Sequence, residues 1–240
     1  MAAKGGWWRR LRALVLWALV AFVGGSLVAV LVLRFVPPVT SAFMLGSYVA
    51  AWQDGRWSYR VDYRWTPYEQ ISRHMKLAVI AAEDQKFAVH PGFDFEAIDK
   101  ALKHNAKGRR VRGASTISQQ VAKNLFLWKG QTWVRKGLEV WFTLLIETIW
   151  PKQRILEVYL NVAEFGPGVY GVGAAAPRFF RKPPARLNRA ESALLAAVLP
   201  NPRKFRVDRP SAYVLRRQAW IIGQMNALGG AEYMRSVDAK

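Results

Sequence analysis

An uncharged apolar stretch near the start of the chain limits what the sequence can fold into more than any other feature. Residues 13–33 read ALVLWALVAFVGGSLVAVLVL, which is 21 residues without a charged side chain. A helix needs about 20 such residues to cross the hydrocarbon core of a bilayer. Arg34 and the pair Pro37-Pro38 follow, and proline cannot continue a helix. We therefore predict a membrane-spanning helix over residues 13–36.

The residues in front of this stretch predict its orientation. Lys4, Arg9, Arg10 and Arg12 precede it, and basic residues before a span favour a cytoplasmic N-terminus and an exported remainder. A cleaved signal peptide is the alternative. The apolar run exceeds the roughly 7–15 residues of the apolar region of a usual signal peptide, and no clear A-x-A cleavage site follows. The pattern favours a retained anchor.

The composition limits the class of partner. The 240 residues include 36 Lys and Arg against 16 Asp and Glu, a formal net charge of +20. Such an excess indicates an anionic partner: nucleic acid, anionic lipid or a phosphorylated substrate. The chain has no cysteine, which excludes disulfides and thiolate metal sites. His74, His90 and His104 lack a zinc spacing, and we predict that His90 is a structural hydrogen-bonding residue.

Hydrophobic spacing predicts a mostly α fold. Ile71, Met75, Ala78 and Ala82 are spaced four, three and four apart, as on one face of a helix. No segment shows a convincing strand period, and the glycines from 166 to 173 predict a tight loop. Further helices are predicted at about 94–106, from Ser115-Thr116 onward, and at 133–149, 152–163, 189–198 and 211–228.

These patterns give a predicted domain organisation. Residues 1–12 form a cytoplasmic basic segment and residues 13–36 the membrane-spanning helix. Residues 37–66 are predicted to be a juxtamembrane connection. No linker-like stretch interrupts residues 67–229, so they are predicted to fold as one domain, followed by a C-terminal tail at 230–240.

Two adjacent acids stand out in this basic chain. Glu83 and Asp84 lie in AAEDQKFAVHPGFD, residues 81–94. On a helix, Glu83 would have Val79 and Phe87 one turn before and after it. Such apolar neighbours raise the pKa of a carboxyl group by desolvation, which suits a general base. The alternative is an exposed acidic pair at a helix end.

A strongly basic stretch follows. Between residues 97 and 138 the only acid is Asp99. Ser115, Gln119 and Lys123 recur every four residues, with Thr116 and Gln120 in the adjoining row. A row of hydroxyl, amide and ammonium groups is a plausible grip for a sugar pyrophosphate; a nucleic-acid patch or solvated helix faces are the alternatives. The basic residues of the stretch are Lys100, Lys103, Lys107, Arg109, Arg110, Arg112, Lys123, Lys129, Arg135 and Lys136.

A third acid lies close to two of these cations. Glu139 follows Arg135 by four residues and Lys136 by three, on the same helical face. One interpretation is an intrahelical ion pair worth only about 0.3–0.5 kcal/mol. The other is a second functional carboxylate whose proton or metal affinity is tuned by two cations.

Five segments follow one another along the chain: EDQKFAVHPGFD, RGASTISQQVAKNLFL, RKGLE, KQRILEVYLNVAEFG and GAAAPRFF. In this order they resemble family 51 glycosyltransferases. Over residues 66–228 the chain is similar to monofunctional biosynthetic peptidoglycan transglycosylases, which have one membrane anchor and no penicillin-binding domain. Five motifs in the same order are far more specific than any one of them.

The resemblance implies a fold and a reaction. It implies a lysozyme-like, two-lobed α-helical domain with a head and a membrane-hugging jaw, which polymerises lipid II with inversion and release of undecaprenyl pyrophosphate. By the same resemblance Glu83 is the general base, and Glu139 lies near the donor pyrophosphate. The substrate-binding positions are then Lys100, Ser115, Thr116, Gln119, Gln120, Lys123, Asn124, Arg135 and Lys136.

The resemblance also implies partners and a location. It implies the bacterial inner membrane, a periplasmic catalytic domain, and contact with lipid II, the growing glycan chain, membrane lipids and other cell-wall synthesis or division proteins, but no nucleic acid. No cofactor is obligatory, and a Mg²⁺ or Mn²⁺ ion at Glu139 is left open. The chain departs from the family's pattern at Lys100, where Arg is usual, at Gln131, where many members have Arg, and at Arg112-Gly113-Ala114, where Gly-Gly is commoner.

Two other functions fit parts of the sequence. A lytic, glycan-cleaving enzyme would share the lysozyme-like fold, but cleavage of a neutral glycan link has no pyrophosphate for the cationic helix to stabilise. A membrane-anchored nucleic-acid-binding protein would suit the charge. The predicted exported location and the Glu-containing apolar helix argue against it.

Overall fold

The fold consists of one long apolar helix and one helical domain. The computed structural model describes residues 4–106, 108 and 113–239. The chain divides into two compact units, Met1–Pro37 and Pro38–Lys240. Helix α1, Lys4–Phe35, makes up most of the first unit and also includes the basic residues before the apolar stretch. Its segment Trp7–Phe35 is long and apolar enough to cross a membrane.

The second unit is mostly α, as the sequence predicts. Short 3-10 turns at Tyr68–Gln70 and Pro184–Arg186 supplement its helices. The predicted helix at 133–149 has the predicted bounds, and so does the one at 189–198. The helices of this unit are α2 Ala42–Gln53, α3 Arg73–Glu83, α4 Phe95–Asn105, α5 Ile117–Phe126, α6 Trp133–Ile149, α7 Lys152–Val162, α8 Val172–Phe180, α9 Arg189–Val198, α10 Ala212–Ala227 and α11 Ala231–Asp238.

A small sheet corrects the expectation of a chain without strands. Strand β1, Asp62–Tyr63, runs parallel to β3, Val169–Tyr170, and β2, Glu164–Gly166, runs antiparallel to β3. Strands of two or three residues are too short to show a period of two, so the sequence gives no signal for them. Gly171 follows β3 with φ of +76°, and a Cβ there would lie 2.4 Å from the Asn161 carbonyl oxygen.

Three helices occur where other structure was expected. Helix α2 lies in the predicted juxtamembrane connection, α8 includes part of the predicted glycine loop, and α11 lies in the predicted tail. Helix α8 has nine residues and contains Pro177, which normally breaks a helix interior. Its buried run Ala174–Ala176 shows that packing overrides this signal.

The core is formed by two groups of packed helices. Helix α3 packs against α9 and α10, and α5 packs against α6 and α7. Val79, Ile117, Val121, Ile155 and Leu195 are fully buried in these contacts. Burying each such side chain contributes about 1.5–3 kcal/mol. This packing fixes α3 beside α10.

Candidate functional site

The candidate site begins at the end of helix α3. Glu83 is the last residue of this helix, and Asp84 is its C-terminal cap. Val79, one turn earlier, is fully buried, as is Phe87. Phe87 lies in a turn after the helix, so the expected helical spacing to it is wrong. Both side chains are nonetheless buried, and each is four residues from Glu83 in the sequence.

Side chains from three other helices hold or support the Glu83 carboxylate. The Gln120 Nε2 of α5 donates to Glu83 Oε2 at 2.9 Å, and the Arg217 Nη2 of α10 lies 3.4 Å from Oε1. The Tyr159 hydroxyl of α7 donates to the Gln120 Oε1 at 3.2 Å, which fixes the amide with its NH₂ toward Glu83. The Glu83 side chain is 14% exposed. One carboxylate oxygen therefore faces an amide and the other an arginine.

Burial controls the proton affinity of this carboxylate. Desolvation raises the pKa of Glu83, and the nearby charge of Asp84 raises it further. The Gln120 hydrogen bond and the charges of Arg217 and Lys123 lower it, but the net pKa stays above the ordinary glutamate value. A carboxylate with a raised pKa is a better proton acceptor. The direction predicted from the sequence is confirmed.

Asp84 has a different role from its neighbour. Its Oδ2 accepts from the Ile117 N–H at 2.9 Å, and its Oδ1 lies 2.8 Å from His90 Nε2. The Gly92 N–H donates to His90 Nδ1 at 3.2 Å, so Nε2 carries the hydrogen and donates to Asp84. Asp84 thus ties the end of α3 to the start of α5. The structural role predicted for His90 is confirmed, and the exposed acidic pair is wrong because Asp84 is buried and Glu83 nearly so.

A buried ion pair stabilises the turn that follows α3 and contains His90. The Lys152 Nζ of α7 lies 2.9 Å from the Glu147 carboxylate of α6 and donates to the His90 carbonyl at 2.7 Å. The Ser118 hydroxyl of α5 donates to the same carboxylate. Three helices and the turn after α3 are therefore joined by polar contacts that are all satisfied.

The first turn of α5 is built on a capping box. The Thr116 N–H donates to Gln119 Oε1 at 3.0 Å, and the Gln119 N–H donates to Thr116 Oγ1 at 3.3 Å. The Thr116 hydroxyl in turn donates to the Gly92 carbonyl at 2.6 Å. Ser115 lies outside the helix and is exposed. The predicted helical row of Ser115, Gln119 and Lys123 is therefore wrong at Ser115.

A second carboxylate lies on helix α6. Glu139 is buried, with Arg135 Nη1 at 2.9 Å from its Oε2 and Lys136 Nζ at 2.5 Å from its Oε1. The intrahelical ion pair predicted from the spacing is confirmed. The Arg135 Nε is buried and has no hydrogen-bond partner among the residues that the structure describes. Both oxygens of Glu139 are thus committed to cations.

Lys123 lies within electrostatic reach of both carboxylates. Burial lowers the pKa of its ammonium, as do the positive charges of Arg135 and Lys136, while Glu139 and Glu83 raise it. No carboxylate of the described chain lies within 4 Å of its Nζ. Lys123 is therefore a half-buried cation whose ammonium is not used in an ion pair with any described carboxylate.

The remaining predicted residues fall in different places. Asn124 is buried on α5, one residue after Lys123. Lys100 is exposed on α4 and pairs with Glu96; no contact within residues 4–106, 108 and 113–239 joins it to Glu83 or Glu139. Part of the predicted basic loop lies outside the described residues, namely Lys107, Arg109, Arg110 and Arg112.

The residues present do not fit a protein-held metal at Glu139. Both of its oxygens are ion-paired. In the described part of the chain, His, Asp and Glu side chains form no group of three or more that could hold an ion.

Sequence reasoning missed Arg217. This residue is 134 positions from Glu83 along the chain, and only the packing of α10 on α3 brings the two together. A signal for it exists: Val214, Arg217, Ile221 and Met225 follow helical spacing, and the three apolar members are buried. An arginine within such an apolar stripe indicates a buried partner.

Comparisons with known proteins agree with one another. The sequence model of a family described as Transglycosylase matches residues 52–226. A relative named biosynthetic peptidoglycan transglycosylase, from Xanthomonas axonopodis pv. citri, is 54% identical over 95% of this chain and 94% of its own length. Relatives of the same name from Xylella fastidiosa and Pectobacterium carotovorum are 52% and 51% identical, covering 95% and 97% of this chain and 92% and 96% of their own lengths.

Proposed function

The chain belongs to the transglycosylase family, and we propose that it is a peptidoglycan glycosyltransferase that polymerises lipid II into glycan strands. One observation carries this proposal most directly. Glu83, whose pKa burial raises, lies within electrostatic reach of Lys123, whose ammonium is not ion-paired in the described chain. A proton acceptor and a cation are the two groups that glycosyl transfer from a pyrophosphate donor requires.

Glu83 supplies the base. Its carboxylate accepts the proton of the acceptor sugar 4-hydroxyl as that oxygen attacks C1 of the donor sugar. The bond from C1 to the pyrophosphate oxygen breaks, and its electron pair leaves with undecaprenyl pyrophosphate. Attack opposite to the leaving group inverts the anomeric centre without a covalent enzyme intermediate. Gln120 and Arg217 hold the carboxylate for this step.

The cations stabilise the leaving group. Negative charge grows on the pyrophosphate as the C1–O bond breaks, and fixed positive charges favour that state. Of these cations, Lys123 is best suited to bind the pyrophosphate, because no carboxylate among the described residues pairs with its ammonium. Glu139 holds Arg135 and Lys136 in place beside it. We assign no obligatory cofactor, since these side chains provide the charge.

The proposal places the enzyme at a membrane. Helix α1 provides an apolar segment of spanning length. In the second unit, Trp128, Trp133 and Val134 expose large apolar surfaces just before and at the start of α6, the helix of Glu139. Aromatic residues of this kind favour the bilayer interface. We propose the inner membrane, with the N-terminus in the cytoplasm and the catalytic domain in the periplasm, facing lipid II and membrane lipids.

The test is polymerisation of labelled lipid II by the detergent-purified full chain, followed by sizing of the products. We expect glycan polymers and free undecaprenyl pyrophosphate. A product of shortened glycan from added peptidoglycan, with no polymer from lipid II, would support the lytic alternative and overturn the proposal. Salt-dependent binding of DNA without polymerisation would support the nucleic-acid alternative.

A further inference from the structure

A second site lies at the opposite end of helix α3 from Glu83. A cavity of about 350 Å³ opens between the start of α3, helices α9 and α10, and the start of α11. Ligand pockets usually measure about 300–1,000 Å³, so this volume suits a small molecule. His74, in the first turn of α3, is nine residues from Glu83, or about 14 Å along the helix axis. The cavity is therefore separate from the proposed active site.

The polar side of the cavity is positively charged. Arg73 and Arg189 line it together with His74, and no Asp or Glu is among the described residues that line it. Two guanidinium groups without a carboxylate favour an anion, because arginine donates paired hydrogen bonds to phosphate and carboxylate oxygens.

Arg189 is held in place by hydrogen bonds, but one of its donors has no partner among the described residues. Its Nη2 donates to the Ile222 carbonyl at 3.2 Å and also to the Asn226 side chain. Its Nε is buried, and within the described part of the chain it has no hydrogen-bond partner. A buried donor without a partner costs free energy. The side chain is thus already oriented by contacts with α10.

The other side of the cavity is apolar. Leu77, Met225 and Met234 line it, and each is buried. Methionine side chains adapt to ligands of irregular shape. A cavity with cations on one side and flexible apolar side chains on the other matches a molecule that has an anionic head and a short apolar part.

We propose that this cavity binds a small amphipathic anion, namely a phosphate or carboxylate group on a short apolar chain, at a site independent of the active site. Arg73 and Arg189 bind the head, and Leu77, Met225 and Met234 contact the chain. Two sources supply such a ligand: a membrane phospholipid whose head enters the cavity, or a soluble anion.

The methionines make the site directly observable. The chain has five, and two of them line the cavity, so NMR of the full chain labelled with ¹³C-methyl methionine gives few, resolvable signals. In non-ionic detergent we titrate hexyl phosphate, with hexanol and inorganic phosphate as probes of chain and head alone. We expect hexyl phosphate to shift the Met225 and Met234 signals, to leave those of Met44 and Met75 in place, and to bind more tightly than either control.

Charge variants test the assigned contacts. Arg189→Gln and Arg73→Gln should each weaken hexyl phosphate binding by about tenfold or more, since each removes charge-assisted hydrogen bonds. Arg235→Gln is the matched control, because Arg235 is exposed on α11 next to Met234 in sequence but does not line the cavity. Arg73 is exposed and its loss should not affect folding, so it keeps the test valid if Arg189→Gln unfolds. Equal weakening in all three variants, or equal binding of hexanol, overturns the proposal.

The two sources are separated by the membrane used. In nanodiscs, phosphatidylglycerol should shift the two methionine signals relative to phosphatidylcholine if the ligand is a lipid. If only soluble hexyl phosphate shifts them, the site is one for soluble anions. Both results support binding at this cavity; if neither hexyl phosphate nor phosphatidylglycerol shifts the two signals, the proposal is contradicted. Lipid II turnover is not part of the readout, so failure here leaves the proposed function standing.

Discussion

The two buried carboxylates, Glu83 and Glu139, are held in opposite ways. Glu83 ends helix α3 and faces an amide at 2.9 Å and an arginine at 3.4 Å, and burial raises its pKa. Glu139 lies within helix α6 and has a cation at 2.9 Å on one oxygen and at 2.5 Å on the other. The first environment disfavours the charged form of the acid. The environment of Glu139 requires the charged form, because the carboxylate balances two cations.

This difference supports the different roles that we propose for two glutamates near the same lysine. A carboxylate that binds a proton readily can act as a base, whereas one neutralised by two cations is suited to positioning them. The surroundings of each acid, more than its identity, decide its role. The comparison predicts that the same substitution, Glu to Gln, has opposite effects on stability at the two positions.

The largest effect is expected on catalysis at Glu83. Glu83→Gln keeps the shape and removes the base, so lipid II polymerisation should fall by about 10²–10⁴-fold. Turnover of labelled lipid II measures the loss, and Glu69→Gln, an exposed acid, serves as the control. Near wild-type turnover in Glu83→Gln would show that Glu83 is not the catalytic base.

The next largest effect is on folding at Glu139. Glu139→Gln leaves the buried Arg135 without its counter-charge, and breaking a buried pair in this way costs about 3–5 kcal/mol of unfolding free energy. Lys136 is more exposed and contributes less. Urea unfolding of the full chain measures the change. An unchanged midpoint would show that Glu139 does not depend on its charge for stability.

Lys123 should affect turnover more than folding. Lys123→Ala removes charge-assisted hydrogen bonds to the pyrophosphate, each worth about 1.5–3 kcal/mol, so turnover should fall by about 10–100-fold. Lys123→Arg should recover only part of this loss, because a planar guanidinium cannot replace an ammonium. Turnover and thermal melts are compared for both variants. Normal turnover, or a collapsed melt, in Lys123→Ala would contradict the donor-site assignment.

The smallest effect has the opposite sign from that at Glu139. The raised pKa of Glu83 means that the folded state favours the protonated acid, so its contribution to stability is lost as pH rises from the ordinary glutamate range through the folded-state pKa. Glu83→Gln should therefore melt at a higher temperature than wild type at neutral pH. The gain should vanish at acid pH. A lower melting temperature at neutral pH would show that Glu83, like Glu139, stabilises the fold through its charge.

Local patterns in the sequence predict most of the helices and the two carboxylates. The bounds of α6 and α9 follow from apolar spacing and capping residues, and the Glu139 ion pair from spacing alone. These features depend on residues within one or two helical turns, so the sequence contains their full signal. The family resemblance implies that Glu83 is a general base, where spacing alone left an exposed acidic pair as the alternative.

The parts that were not predicted depend on distant contacts. Strand β1 pairs with β3 more than 100 residues later, and neither strand is long enough to show a period. The contact of Arg217 with Glu83 requires α10 to pack on α3. Tertiary packing decides each of these features.

The pH dependence of lipid II polymerisation tests most directly whether Glu83 is the base with the raised pKa. The account predicts that kcat/KM falls as pH decreases, with a midpoint above the ordinary glutamate pKa of about 4.3. Because the charge of Arg217 lowers the pKa of Glu83, folded Arg217→Gln should move this midpoint to higher pH. The residual rate of Glu83→Gln should lack the acidic limb. A midpoint at or below the ordinary value, or one that is the same in Arg217→Gln, would contradict the account.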